Sequence, residues 1–120
     1  MNQGVEGSRF PYIPLRISLA LAELTVEALV DTGFDGDVVL PSTVVSGPAS
    51  GQPDAFLTWR LADGSDVVTG SYLATASIPG LPGLHSVLVS VLGDESIVGR
   101  GLTDHYRVVF DHGERVIIEP

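Results

Sequence analysis

An apolar run, Ala28-Leu29-Val30, passes directly into Asp31-Thr32-Gly33. A carboxylate at the end of a buried strand is costly unless a partner or a reaction needs it there. Thr32 supplies a hydroxyl that can bond neighbouring backbone. Gly33, lacking a Cβ, lets another chain or a substrate come close. The chemistry open to such an acid is proton transfer, in which it acts as general acid or general base. The triplet alone is a weak signal, and a strand-ending turn is the plain alternative. A second segment strengthens the functional reading: Ser96-Ile97-Val98-Gly99-Arg100 sets two apolar residues before a glycine and an arginine.

Other chemistries find less support. Asp31, Asp35 and Asp37 lack the spacing and closing Glu of a calcium loop. His85, His105 and His112 have no metal-ligand spacing, and no HExxH occurs. No Gly-x-Ser-x-Gly elbow is present. Gly99-x-Gly101 lacks the third glycine and the strand–helix context of a dinucleotide site. Cysteine is absent, which excludes disulfides, thiolate metal sites and a cysteine nucleophile. No metal and no cofactor is expected.

These residues must be positioned by short strands. From Tyr12 to Leu21, Ile13, Leu15, Ile17, Leu19 and Leu21 alternate with residues such as Arg16 and Ser18, which predicts a half-buried strand. Leu24 to Val30 should pair with it as a hairpin. Val38 to Leu40 is a third run, stopped by Pro41. Ser42 to Val45 suits one helical turn, and Gly47 to Asp54 a surface loop. Phe56 to Leu61 and Val67 to Ile78 flank Asp63-Gly64, a strong hairpin signal because both turn residues tolerate positive φ. Leu84 to Leu92 is another strand and Leu102 to Tyr106 the best helix candidate. Val108–Phe110 and Val116–Ile118 form a last hairpin. The expected fold is all-β: a small closed barrel with one short C-terminal helix. Residues 1–11 are expected to form a flexible N-terminal segment, and 12–120 the domain.

The 120 residues carry six Lys or Arg against fifteen Asp or Glu, a formal net charge of -9. Such a surface repels phosphate backbones and anionic lipid, so neither nucleic acid nor membrane is an expected partner. The polar start, Met1 to Arg9, lacks the basic-then-apolar order of a secretory signal. No apolar stretch approaches the roughly 20 residues of a membrane span. A cytoplasmic location is the expectation.

The two chemical segments together resemble the retropepsin-like aspartic proteases. The string Leu29 to Asp37, ending in Val39-Leu40-Pro41, and the Leu61-Ala62-Asp63-Gly64-Ser65 hairpin look like the bacterial single-domain branch. The resemblance implies that Asp31 is catalytic and that Thr32 hydrogen-bonds across a subunit interface. Gly33 would face substrate backbone. Asp35 and Arg100 would form a buried ion pair bracing the loop, with Ile97, Val98 and Gly99 as its support. Asp63 and Gly64 would turn a flap over bound peptide, with Trp59, Leu61, Ala62 and Phe34 on the flap and substrate cleft. It implies a homodimeric endopeptidase acting on peptide or protein substrates. The alternative is a non-catalytic protease-like barrel that works as a peptide-binding or assembly module. Phe34 departs from the Ser or Ala common after the triplet, and it cannot donate a hydrogen bond to Asp31.

Overall fold

The computed structural model describes residues 4–20, 22–45 and 51–120. Leu21, expected on the inward face of its strand, residues 1–3 of the expected flexible segment and residues 47–50 of the expected surface loop lie outside the described residues, as does residue 46. The elements run β1 (Val5–Glu6), β2 (Tyr12–Leu19), β3 (Ala22–Val30), β4 (Val38–Leu40), α1 (Ser42–Val45), β5 (Ala55–Arg60) and β6 (Asp66–Ser77). They continue as β7 (His85–Val91), β8 (Ile97–Val98), α2 (Arg100–Thr103), β9 (Arg107–Asp111) and β10 (Arg115–Glu119).

The alternation in β2 has its expected consequence. Ile13, Leu15, Ile17 and Leu19 are buried, while Arg16 and Ser18 face solvent. Each such side chain contributes about 1.5–3 kcal/mol by leaving water. β3 pairs antiparallel along the whole of β2, from Tyr12 opposite Leu29 to Leu19 opposite Ala22. Val38, Val39 and Leu40 are all buried, as suits a short strand covered on both faces.

Seven strands form one sheet in the order β2-β3-β8-β4-β7-β6-β5. An additional β2–β6 pairing, Arg16 to Ser18 against Ser77 to Thr75, closes six of them into a ring and leaves β5 outside it. A second sheet, β1-β10-β9, packs Val116 and Ile118 into the same core. Val5 and Glu6, placed by the sequence in a flexible segment, instead pair with Ile118 and Ile117. A two-residue strand is too short to show periodicity. No helix among the described residues is long and apolar enough to cross a membrane.

The helix near the C-terminus begins earlier than the composition suggests, at Arg100 rather than Leu102. Its turn is set by the Gly99 carbonyl oxygen, which accepts from Thr103 N at 3.1 Å, and by that of Arg100, which accepts from Asp104 N at 2.9 Å. Leu102 is fully buried and anchors it.

Among the described residues one buried side chain is unsatisfied. The Thr69 hydroxyl on β6 has no hydrogen-bond partner. A buried polar group without a partner is destabilising. Thr69→Val is therefore expected to raise unfolding stability by about 1 kcal/mol, since valine also suits a strand. Urea unfolding checks this, and an unchanged or lower midpoint would contradict it.

Candidate active site

Asp31 follows the last residue of β3, and its position is set by β8. Leu29 and Val30 pair in parallel with Ile97 and Val98. On its other edge β8 pairs antiparallel with β4, Val98 opposite Val38 and Ile97 opposite Val39. The Ile97-Val98 pair thus lies between the strands that enter and leave the Asp31 loop. Asp31 N donates to the Val98 carbonyl oxygen at 3.0 Å, and the Asp31 carbonyl accepts from Phe34 N at 3.2 Å. The side chain is half-buried, with Oδ1 accepting from Gly33 N at 2.9 Å. Thr32 and Gly33 are exposed.

The loop is pinned from the other side by Gly99-Arg100-Gly101. Gly99 N donates to the Asp37 carbonyl at 2.9 Å, Arg100 N to Phe34 at 2.8 Å and Gly101 N to Gly36 at 3.0 Å. Three successive amides thereby hold the loop, and the glycines permit the approach. A Cβ at Gly99 would lie 2.6 Å from the Phe34 carbonyl oxygen, and nearer still to that of Gly36.

The expected Asp35–Arg100 pair is not formed. Asp35 is exposed, and Arg100, also exposed, sets its Nε 3.7 Å from Asp104 Oδ2. Both charges stay solvated, which avoids the desolvation cost of a buried pair. Bracing falls instead to Asp37, which the sequence reading did not single out. Its Oδ2 accepts from Leu88 N on β7 at 2.8 Å, and its carboxyl carbon lies 3.1 Å from where a Gly101 Cβ would be. Asp37→Ala would leave the Leu88 amide unpaired at a cost of about 1–3 kcal/mol, and Asp37→Asn, which keeps an acceptor, should cost less. Denaturant midpoints of the two variants check the order.

An open cleft of about 600 Å³ borders Asp31. Gly33, Phe34, Val39 and Ile97 line the loop side, and Trp59, Arg60, Leu61 and Ala62 of β5 and the turn after it line the other. Leu92 to Glu95 line it as well, and Glu95 accepts a hydrogen bond from the Tyr12 hydroxyl. Arg60, Val39 and the 92–95 turn were missed because nothing local marks them; only folding places them beside Asp31.

Asp63 and Gly64 turn the β5–β6 hairpin but do not line the cleft. Gly64 adopts φ +87, as a left-handed turn glycine does, but Asp63 does not share the positive φ that a two-residue Asp-Gly turn would need. The Ser65 hydroxyl and amide, donating to Asp63, hold its carboxyl below the usual range. Among the described residues no cluster of His, Asp and Glu could hold a metal ion.

The histidines sit away from the cleft. His85 Nε2 is 2.8 Å from the Tyr106 hydroxyl, and its ring stacks on His105 with centroids 4.4 Å apart. Burial, and then the nearby His105, lower the His85 pKa below its ordinary 6.5. The unfolded chain therefore binds this proton more readily than the folded one. The stability involved is complete above about pH 6.5 and is lost as pH falls through the lower folded value. Urea midpoints should drop between pH 7.5 and 5.5, and His85→Gln should flatten that drop. Asp63 and Asp111, whose pKa values are also lowered, act in a separate window below about pH 4.

No family model matches the chain. No curated protein matches it either. Solved structures do. A retropepsin-like aspartic protease from Rickettsia conorii aligns over 99% of this chain and 95% of its own, at 13% identity and a TM-score of 0.59. The protease of Simian Foamy Virus (mac) aligns over 72% of this chain and 87% of its own, at 16% identity and a TM-score of 0.46. The alignment with the first spans nearly the whole chain, and the fold of the chain is retropepsin-like.

Proposed function

We propose that the chain is one subunit of an aspartic endopeptidase whose active site forms when two copies bring their Asp31 carboxylates together. The observation that carries this reading is Asp31 itself. It is a half-buried acid on a loop pinned by β8 and Gly99, facing an open cleft bounded by a β-hairpin. The retropepsin-like fold supports it.

The chemistry explains the need for a second copy. One carboxylate cannot be acid and base in the same step. Two held ~3 Å apart cannot both ionise, so they share a proton. The ionised one takes a proton from water, whose oxygen attacks the scissile carbonyl carbon while the protonated one hydrogen-bonds the carbonyl oxygen, and the C–N bond then breaks as the leaving nitrogen receives a proton from the carboxyl pair. The chain has a single Asp-Thr-Gly triplet. A two-fold axis through the loop would set the same residue from both copies side by side. Thr32, exposed and without a hydrogen bond among the described residues, would then be free to bond across the interface. The hairpin tip, Leu61 to Ser65, would act as the flap over bound peptide.

A second reading draws on Phe34, which cannot donate a hydrogen bond to Asp31. On that reading the barrel binds peptide without cutting it. Sedimentation together with a peptide-library digest, with and without pepstatin, separates the two. A dimer with pepstatin-sensitive cleavage supports the enzyme. Peptide binding with no cleavage at any pH supports the module, and a monomer at high concentration contradicts the paired site.

A further inference from the structure

Trp59 is the one tryptophan of the chain, and it is held on three sides. Its ring meets Phe34 edge-on, centroids 5.0 Å apart and planes at 68°. Its Nε1–H donates to Ser90 Oγ at 3.2 Å, and Ser90 Oγ lies 2.9 Å from Ser71 Oγ. Both serines are buried on the β6–β7 pair. Gly36 makes the room: a Cβ there would lie 2.7 Å from Trp59 Cη2 and would also overlap the Phe34 ring. Phe34 is fixed in turn by Gly99, where a Cβ would overlap its ring. Beyond Trp59 the hairpin is unconstrained in this way, and residues 61–66 are all exposed.

We infer that Trp59 is a positioning residue that locks the base of the β5–β6 hairpin to the loop carrying Asp31, so that the two open and close as one unit. A ring clasped between Phe34, Gly36 and the Ser90 hydroxyl cannot pivot without breaking contacts on all three. Hairpin motion is thereby confined to the segment beyond Arg60, and the height of the hairpin base over Asp31 is set by the loop itself. The catalytic meaning of the lock rests on the aspartic-protease reading, but the mechanical coupling does not.

Amide hydrogen exchange on the free protein tests the coupling without any substrate. The loop reporters are the amides of Phe34 and Arg100, both hydrogen-bonded; the hairpin reporters are those of Leu57 to Leu61. An aromatic pair alone is worth roughly a two- to tenfold change in a local opening equilibrium, and one hydrogen bond is worth about as much again. Phe34→Leu should raise exchange by the first of these factors in the hairpin base. Trp59→Leu should raise it at Phe34 and Arg100, and Trp59→Phe, which restores a ring, should recover most of the protection. Ser90→Ala, the mildest change, should raise exchange in both places and shift the Trp59 emission to the red. Exchange that rises only in the element carrying each substitution overturns the proposal. Because exchange is read without substrate and cleavage by the separate peptide digest, an inactive protein with coupled exchange would refute the endopeptidase and keep the lock. An active one with uncoupled exchange would do the reverse.

Discussion

On the proposed endopeptidase reading, Asp31→Asn is expected to remove peptide cleavage, by about a thousandfold or more, while leaving the melting temperature and the assembly state close to wild type. Asparagine has nearly the shape of aspartate, and its Oδ1 can still accept from Gly33 N, which now donates to Asp31 Oδ1 at 2.9 Å. What it cannot do is take or give a proton. In a symmetric pair the single substitution removes both acids at once, so neither the base for water nor the donor to the carbonyl survives. A digest of a peptide library, followed by mass spectrometry, measures the loss. Cleavage that persists at the wild-type rate would show that Asp31 is not the acid and would sink the proposed mechanism. Cleavage lost together with the fold would point to a structural role.

Gly99→Ala is expected to destabilise the protein by about 3 kcal/mol or more, lowering the melting temperature by roughly 12 °C or more. The added methyl would collide with the carbonyl oxygens of Phe34 and Gly36, which are backbone atoms rather than flexible side-chain ends. Neither can retreat cheaply. The Phe34 oxygen accepts from Arg100 N and the Gly36 oxygen from Gly101 N, so relief of the clash would break the amides that pin the loop. Gly51→Ala is the control, because a Cβ there meets nothing within 4 Å; its effect should stay within about 0.5 kcal/mol. Thermal unfolding of both variants checks the contrast, and equal stabilities would mean that the loop has more room than its contacts suggest.

Arg100 illustrates how a family expectation and a structure can part. The resemblance paired it with Asp35, yet its neighbour is Asp104 on the next helical turn, and both groups are largely exposed. An exposed pair of this kind contributes about 0–1 kcal/mol. The residue matters more through its backbone amide, which donates to Phe34, than through its charge.

Much of the scaffold was legible because its signals are local. The alternation from Ile13 to Leu19 follows from side chains pointing to opposite faces of a strand, a property of the backbone that needs no partner. Asp63-Gly64 declared its turn because Gly64 must take positive φ. The apolar run into Asp31 and the Ile97-Val98-Gly99 element declared themselves in the same way, as contrasts between adjacent residues. What escaped the sequence depends on distant pairings. Val5–Glu6 is too short for any period, and it becomes a strand only because β10 offers an edge. Asp37 and Leu88 stand 51 positions apart, and no local rule distinguishes Asp37 from Asp35. Likewise, Trp59 finds Ser90 and Phe34 only when the hairpin folds over the loop. Residue order thus determined the strands, the turns and the acid that stands at a strand end. The closed sheet decided which acid braces the loop and which aromatic residues meet beside it, because those contacts arise from chain segments brought together by burial of a shared core.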